Sequence, residues 1–177
     1  MTPPDLLDGR VGEAWAGDVP NGSHVNLVIG RRGSPTAAAI AGVLGQTVPG
    51  HAPFLVCLGA GTEVRPATVV RNKTTVDGDD MLARITWGAA QLGLGQGVMD
   101  AVARGTIRAE DVDELVLLMV VWVDPEAHDE TAVRLANREA AQAAIENAVA
   151  GPAERAHYVA RLLEGRDAAR NAFYGGD

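Results

Sequence analysis

From Ser23 to Gly30 the chain reads Ser-His-Val-Asn-Leu-Val-Ile-Gly, with Val25, Leu27 and Ile29 alternating against His24 and Asn26. A period of two marks a strand with one buried face, so His24 and Asn26 project together from the other. Ser34-Pro35 supplies an N-cap followed by proline at the first helical position, and an Ala-rich helix is predicted from about Thr36 to Leu44, bounded by Gly45 and Gly50. Phe54 to Leu58 and Thr68 to Val76 read as strands, the second placing Arg71, Lys73 and Thr75 on one face. Turn chemistry at Asp77-Gly78-Asp79-Asp80 leads into a glycine-rich helix predicted from about Thr86 to Arg104, with Gln91 near its start.

The unbroken apolar run Leu115 to Val123 predicts a buried strand, ended by Asp124-Pro125 before a long amphipathic helix that reaches Val149. Gly151-Pro152 marks a break. Beyond it, Ala153 to Phe173 forms either another helix, with Val159, Leu162 and Leu163 available for packing, or a loosely attached tail. The order β, α, β, β, α, β, α indicates an α/β fold: a single-domain, two-layer sandwich of mixed sheet and helices.

Composition narrows the function. A chain of 177 residues with 47% hydrophobic positions is long enough to bury a core without metal or disulfide staples. The formal net charge is −8, and no basic cluster occurs, which argues against nucleic-acid or anionic-membrane partners. The longest apolar run is well short of the roughly 20 residues of a membrane-spanning helix. A single cysteine, Cys57, and an amino terminus without secretory character lead us to expect a cytoplasmic protein. Of the 15 basic residues only Lys73 is lysine. Unlike arginine, lysine is a compact charge whose pKa moves with its surroundings, so its position draws interest.

Other motifs carry less. Gly93-Leu94-Gly95-Gln96-Gly97 lies within a helical pattern rather than after a strand, so it is not a dinucleotide loop. Gly59-Ala60-Gly61 lacks the third glycine and the Lys-Ser/Thr pair of a phosphate loop. His24, His51, His128 and His157 show no ligand spacing, and Cys57 in its apolar strand is expected to pack as a small hydrophobe, so no metal site is expected. His128 and Asp129 read as the solvated start of the long helix.

What remains is His24 and Asn26 on the first strand, Leu55 on the second, Lys73 and Thr75 on the third, and Gln91 at the following helix. Several stretches in order, Val11-Gly12-Glu13-Ala14, His24 through Pro35, Arg65-Pro66-Ala67-Thr68, Asn72-Lys73-Thr74-Thr75, Gly88-Ala89-Ala90-Gln91, Asp124-Pro125-Glu126-Ala127 and Asn137-Arg138-Glu139-Ala140, resemble the formaldehyde-activating enzyme family. The resemblance covers residues 11–151, leaving 1–10 as an N-terminal extension and 152–177 as a C-terminal helical extension or tail. It implies a fold of the ribosomal protein S5 domain 2-like type and a metal-independent carbon–oxygen hydro-lyase. Family members condense formaldehyde with tetrahydromethanopterin, a folate-like carrier, and assemble as homopentamers with the pterin site between subunits. By resemblance His24 takes the place of the catalytic proton donor, and Leu55, Lys73, Thr75 and Gln91 take pterin-binding places, with Asn26 beside them in the site.

The chemistry suits these residue types. An amine adds to formaldehyde to give a carbinolamine, whose hydroxyl must leave as water before a second nitrogen closes the ring. Imidazole, with an ordinary pKa of about 6.5, can donate that proton near neutrality, and a positioned general acid contributes roughly 10²- to 10⁴-fold. Taken alone, His24 also suits a structural hydrogen bond, Lys73 a solvated charge, Thr75 plain β propensity, Leu55 packing, and Gln91 a bridge between segments.

Three departures stand out. Asn26 occupies the place of a family aspartate, Trp87 that of a smaller aromatic, and one extra residue separates Thr75 from Gln91. Asparagine keeps the hydrogen-bonding shape and loses the charge, which leaves either a slower version of the same enzyme or a site retuned for another amine. Beside the family reaction stand three alternatives: the same dehydration on a different amine in a specialised biosynthetic or detoxifying pathway, a non-catalytic protein binding the carrier or a formaldehyde adduct, and a Schiff base on Lys73.

Overall fold

Val11–Ala16 (β1) and Ser23–Arg31 (β2) pair antiparallel at one edge of a five-stranded sheet. The computed structural model describes residues 2–59, 61–78 and 81–166, apart from the side chains of residues 152, 153 and 155. Pro53–Leu55 (β3), Ala67–Asn72 (β4) and Leu115–Val123 (β5) complete the sheet in the order β1-β2-β5-β4-β3, with only the β4–β5 pair parallel. The fold is therefore α/β with a mixed sheet, as the element order predicts. None of the described helices is long and apolar enough to cross a membrane.

One face of the sheet carries the core. Val25, Leu27 and Ile29 of β2 and alternate β5 residues from Leu115 to Val123 are buried against Glu130–Val149 (α4) and Gln91–Ala103 (α3). Full burial of each such aliphatic side chain contributes roughly 1.5–3 kcal/mol. The glycine-rich sequence of α3 has a packing cause: a Cβ on Gly93 would lie 2.2 Å from the Arg134 carbonyl oxygen of α4, and one on Gly97 would lie 2.4 Å from that of Arg138. These glycines let the two helix backbones touch, and Arg138 locks the contact with two hydrogen bonds to Asp100 at 2.5 and 2.8 Å.

Pro35–Val43 (α1) covers one end of the opposite face, packing Ala37 and Ile40 over Gly30. Its cap is as expected: the Ser34 hydroxyl accepts from the Ala37 amide at 3.1 Å. The remainder of this face, at the His24 end of β2, carries polar and aromatic side chains. Residues before β1 are tied to the domain, with Leu7 buried and Asp8 accepting from the Arg31 amide and the Ser34 hydroxyl.

Several elements differ from expectation. β1 has no strong alternation in sequence, since Gly12 and two alanines occupy its covered face against α4, and it is an additional strand. β4 ends at Asn72 instead of continuing to Val76, because the Asn72 amide donates to the carbonyls of Gly50 and Thr74 and folds the following residues into a bend. β3 stops at Leu55; Cys57 is exposed in an isolated bridge with Glu63, not packed as a small hydrophobe.

The glycine-rich helix starts earlier, with Met81–Arg84 (α2), and passes through a π-helical segment, Ile85–Ala90, before α3. Pro152–Glu164 (α5) is helical, with Val159, Leu162 and Leu163 exposed; the predicted continuation past residue 166 lies outside the described residues.

Candidate active site

The register of β1, β2 and β5 aligns Trp15, His24 and Trp122, with Glu13 opposite Asn26 one step along. All five side chains leave the sheet on the face opposite α4, because that face alternates with the buried one. Lys73, just past β4, reaches this row, its amide still held by the Val121 carbonyl at 2.7 Å. The Thr74 hydroxyl, bonded to the Val123 carbonyl at 2.5 Å, fixes the bend that presents it.

The imidazole of His24 is the centre of a chain of polar contacts. Its Nε2 lies 2.5 Å from Glu13 Oε2, and its Nδ1 lies 3.4 Å from Lys73 Nζ. Lys73 Nζ also donates to Asn26 Oδ1. A carboxylate only accepts and an ammonium only donates. In neutral His24 the proton therefore sits on Nε2, facing Glu13, and Nδ1 accepts from Lys73. Desolvation holds the Lys73 pKa below its ordinary value, with the Glu13 charge opposing the shift. The indole of Trp15 stacks beside His24, with ring centroids 6.4 Å apart and planes inclined by 29°, and Trp122 lies 5.4 Å from Trp15.

Thr75 belongs to an adjoining group. His51 Nδ1 is 3.0 Å from the Asn72 carbonyl oxygen and so carries the proton, leaving Nε2 to accept from the Thr75 hydroxyl at 3.3 Å. The Thr75 oxygen keeps its accepting capacity. Leu55 and Gln91 lie elsewhere in the chain. Leu55 pairs with Val69, which pairs with Leu118 of β5, whereas His24 pairs with Trp122. Three strand spacings across the sheet and four residues along it put Leu55 roughly 20 Å from His24. Gln91 sits near the same edge, its side chain accepting from the Cys57 amide at 3.4 Å and donating to the Trp87 carbonyl at 2.7 Å. Phe54 and Trp87 meet edge to face beside it, 5.3 Å between centroids.

The six residues singled out from sequence thus fall into a polar cluster of His24, Asn26 and Lys73, a neighbouring Thr75, and a distant pair, Leu55 and Gln91. Glu13, His51, Trp15 and Trp122 also belong to this surface and are not evident as such from the sequence. The signal for Glu13 and Trp15 was present: pairing of residues 11–16 with β2 places both beside His24.

The fold and this cluster define an α/β protein that gathers an imidazole, a carboxylate, an ammonium and two indoles on one sheet face. The profile of a family described as Formaldehyde-activating enzyme (Fae) matches residues 11–174. The chain is 34% identical over 147 residues to "5,6,7,8-tetrahydromethanopterin hydro-lyase" of Methanosarcina barkeri, covering 83% of this chain and 82% of that protein. It is 35% identical over 142 residues, 80% of this chain, to a "Bifunctional enzyme Fae/Hps" of Methanosarcina mazei, and 36% identical over 141 residues, also 80% of this chain, to one of Methanothrix thermoacetophila. The alignment spans 36% of the length of each of these two bifunctional relatives. The chain belongs to the formaldehyde-activating enzyme family, and its enzymatic class is that of the carbon–oxygen hydro-lyases.

Proposed function

We propose that this protein condenses formaldehyde with tetrahydromethanopterin, or a similar reduced pterin, to give the methylene derivative and water, with His24 as the proton donor. The observation that carries the reading is the placement of His24 between a carboxylate and an ammonium on an open sheet face. One carrier nitrogen adds to formaldehyde, forming a C–N bond and a carbinolamine. The cationic imidazole protonates the hydroxyl, the C–O bond breaks, and water leaves an iminium ion. The second carrier nitrogen then closes the ring, and its proton returns to the imidazole. Atoms and charge balance without a redox partner. Because both amine nitrogens belong to one carrier, the remaining advantage comes from holding carrier and aldehyde together.

Within this reading Asn26, Leu55, Lys73, Thr75 and Gln91 bind the carrier. The roughly 20 Å between Leu55 and His24 supports a site assembled across a subunit boundary, the Leu55 and Gln91 edge of one subunit facing the His24 cluster of another. A homopentamer meets that requirement. Trp15 and Trp122 border the cluster, where a planar heterocycle would meet aromatic side chains. The π-helical segment ahead of Gln91 takes up the extra residue after Thr75, since a π turn encloses one residue more than an α turn. The reaction serves cytoplasmic one-carbon metabolism and removes toxic formaldehyde.

A second reading, favoured by Asn26, is the same dehydration on a different amine. Condensation rates with tetrahydromethanopterin and, separately, tetrahydrofolate, corrected for the spontaneous reaction, separate the two. Acceleration with either carrier supports a pterin or folate substrate. Absence of acceleration with both, from folded protein, points to another amine. Binding without acceleration points to a carrier-binding protein.

A further inference from the structure

Within the His24 cluster as described, Glu13 is the carboxylate that touches the imidazole. It lies on β1 opposite Asn26, so its side chain reaches His24 diagonally across the strand pair, a distance that cross-strand side chains span readily. On the other side of the ring stands the Lys73 ammonium. Asn26, which faces Lys73, contributes a dipole and no charge. The site therefore contains one ammonium, one imidazole that must become cationic to act as an acid, and one carboxylate to balance them.

We propose that Glu13 is the positioning residue for His24: it accepts the Nε2 proton, fixes the tautomer that leaves Nδ1 facing Lys73 and the ligand, and carries the negative charge that Asn26 lacks. This rests on the reading of His24 as proton donor. The proton delivered to the carbinolamine hydroxyl is the one on Nδ1, the Nε2 proton staying with Glu13 throughout. When the hydroxyl has left as water, the ring is neutral with its remaining proton on Nε2, and the proton released by ring closure returns to Nδ1 and restores the cationic acid. Lys73 remains anchored through Asn26 while the hydroxyl occupies its place at Nδ1.

Among the described residues, the titratable and charged groups that face His24 are Glu13 from β1 and Lys73 from the segment after β4. A change at Glu13 is therefore read at His24 directly. The side chain of Glu13 is 65% exposed, so Glu13→Gln is not expected to disturb folding. Glu13→Gln is predicted to lower kcat roughly 10- to 100-fold, part of the roughly 10²- to 10⁴-fold of a general acid, with the carrier KM changed less than about twofold. Asn26→Asp added to Glu13→Gln restores several-fold of the loss by returning a carboxylate to the cluster.

Imidazole nitrogen NMR of His24 supplies a readout that needs no turnover. The neutral ring in the parent protein is expected as the Nε2-protonated tautomer, and Glu13→Gln as a mixture of tautomers. An unchanged tautomer in Glu13→Gln, a KM loss as large as the kcat loss, or no rescue by Asn26→Asp overturns the proposal. If no carrier is turned over by the parent protein, the functional reading fails, and the tautomer measurement alone decides whether Glu13 orients His24.

Discussion

The ammonium of Lys73, the only lysine among 177 residues, donates to Asn26 Oδ1 while lying within reach of His24 Nδ1. An amide at position 26 holds the lysine through its dipole and supplies no opposite charge, and desolvation lowers the lysine pKa below the ordinary 10.5. Being the sole lysine makes that shift measurable. Amine-selective labelling followed by mass spectrometry of the Lys73 peptide is expected to show a reactivity midpoint below that of a free lysine. Asn26→Asp places a carboxylate on the ammonium and raises the midpoint. Between the lowered value and 10.5 only the unfolded chain keeps the proton, so the contribution of Lys73 to stability rises with pH across that window. Because Lys73 is exposed, labelling is the more sensitive readout.

Activity responds to the same substitution. If Asn26 only slows the family reaction, Asn26→Asp raises the condensation rate with tetrahydromethanopterin, because a second carboxylate favours the cationic imidazole that acts as acid. Steady-state rates at fixed carrier concentration check this. A loss of rate assigns Asn26 to a site shaped for another amine.

Binding of a planar carrier beside Trp15 and Trp122 should quench their fluorescence. Of the chain's 3 tryptophans, two flank His24 and the third, Trp87, packs on Phe54 near Gln91. Titration of Trp15→Leu with carrier is expected to show a smaller quench and weaker affinity, with kcat at saturation preserved. An undiminished quench and affinity would show that the carrier stacks elsewhere.

The helix pairing beneath the sheet makes a separate prediction. Gly97→Ala puts a methyl group against the Arg138 carbonyl and, as an overpacked contact, costs about 1–3 kcal/mol. Urea denaturation reads this as a lower midpoint with an unchanged slope. Ala substitution at Gly33, where an added Cβ meets nothing within 4 Å but φ is +82°, instead probes backbone strain.

Much of this architecture is legible from periodicity. β2 and β5 announce themselves by alternation and by an apolar run, and Ser34-Pro35 fixes the start of α1. β1 escaped because its covered positions are Gly12, Ala14 and Ala16, chosen for the close approach of α4 rather than for bulk. With β1 went Glu13, whose role depends on a strand pairing and not on its neighbours in sequence. The end of β4 escaped because a buried Asn72 captures two carbonyls, a choice invisible to a count of β-branched residues. His24, Asn26 and Lys73 were found because alternation and one unusual lysine point to the same sheet face. Leu55 and Gln91 came from family resemblance, and their distance from His24 is a property of strand order that no local pattern encodes.

In the proposed mechanism His24 delivers the proton that expels water from the carbinolamine. Stopped-flow condensation of formaldehyde with tetrahydromethanopterin, with the spontaneous rate subtracted and carrier affinity measured in parallel, tests it most directly on the parent protein and His24→Ala. A proton donor at this position predicts an acceleration that falls by roughly 10²- to 10⁴-fold in His24→Ala while affinity stays nearly constant. An acceleration that survives in His24→Ala, or a loss of affinity equal to the loss of rate, would contradict it.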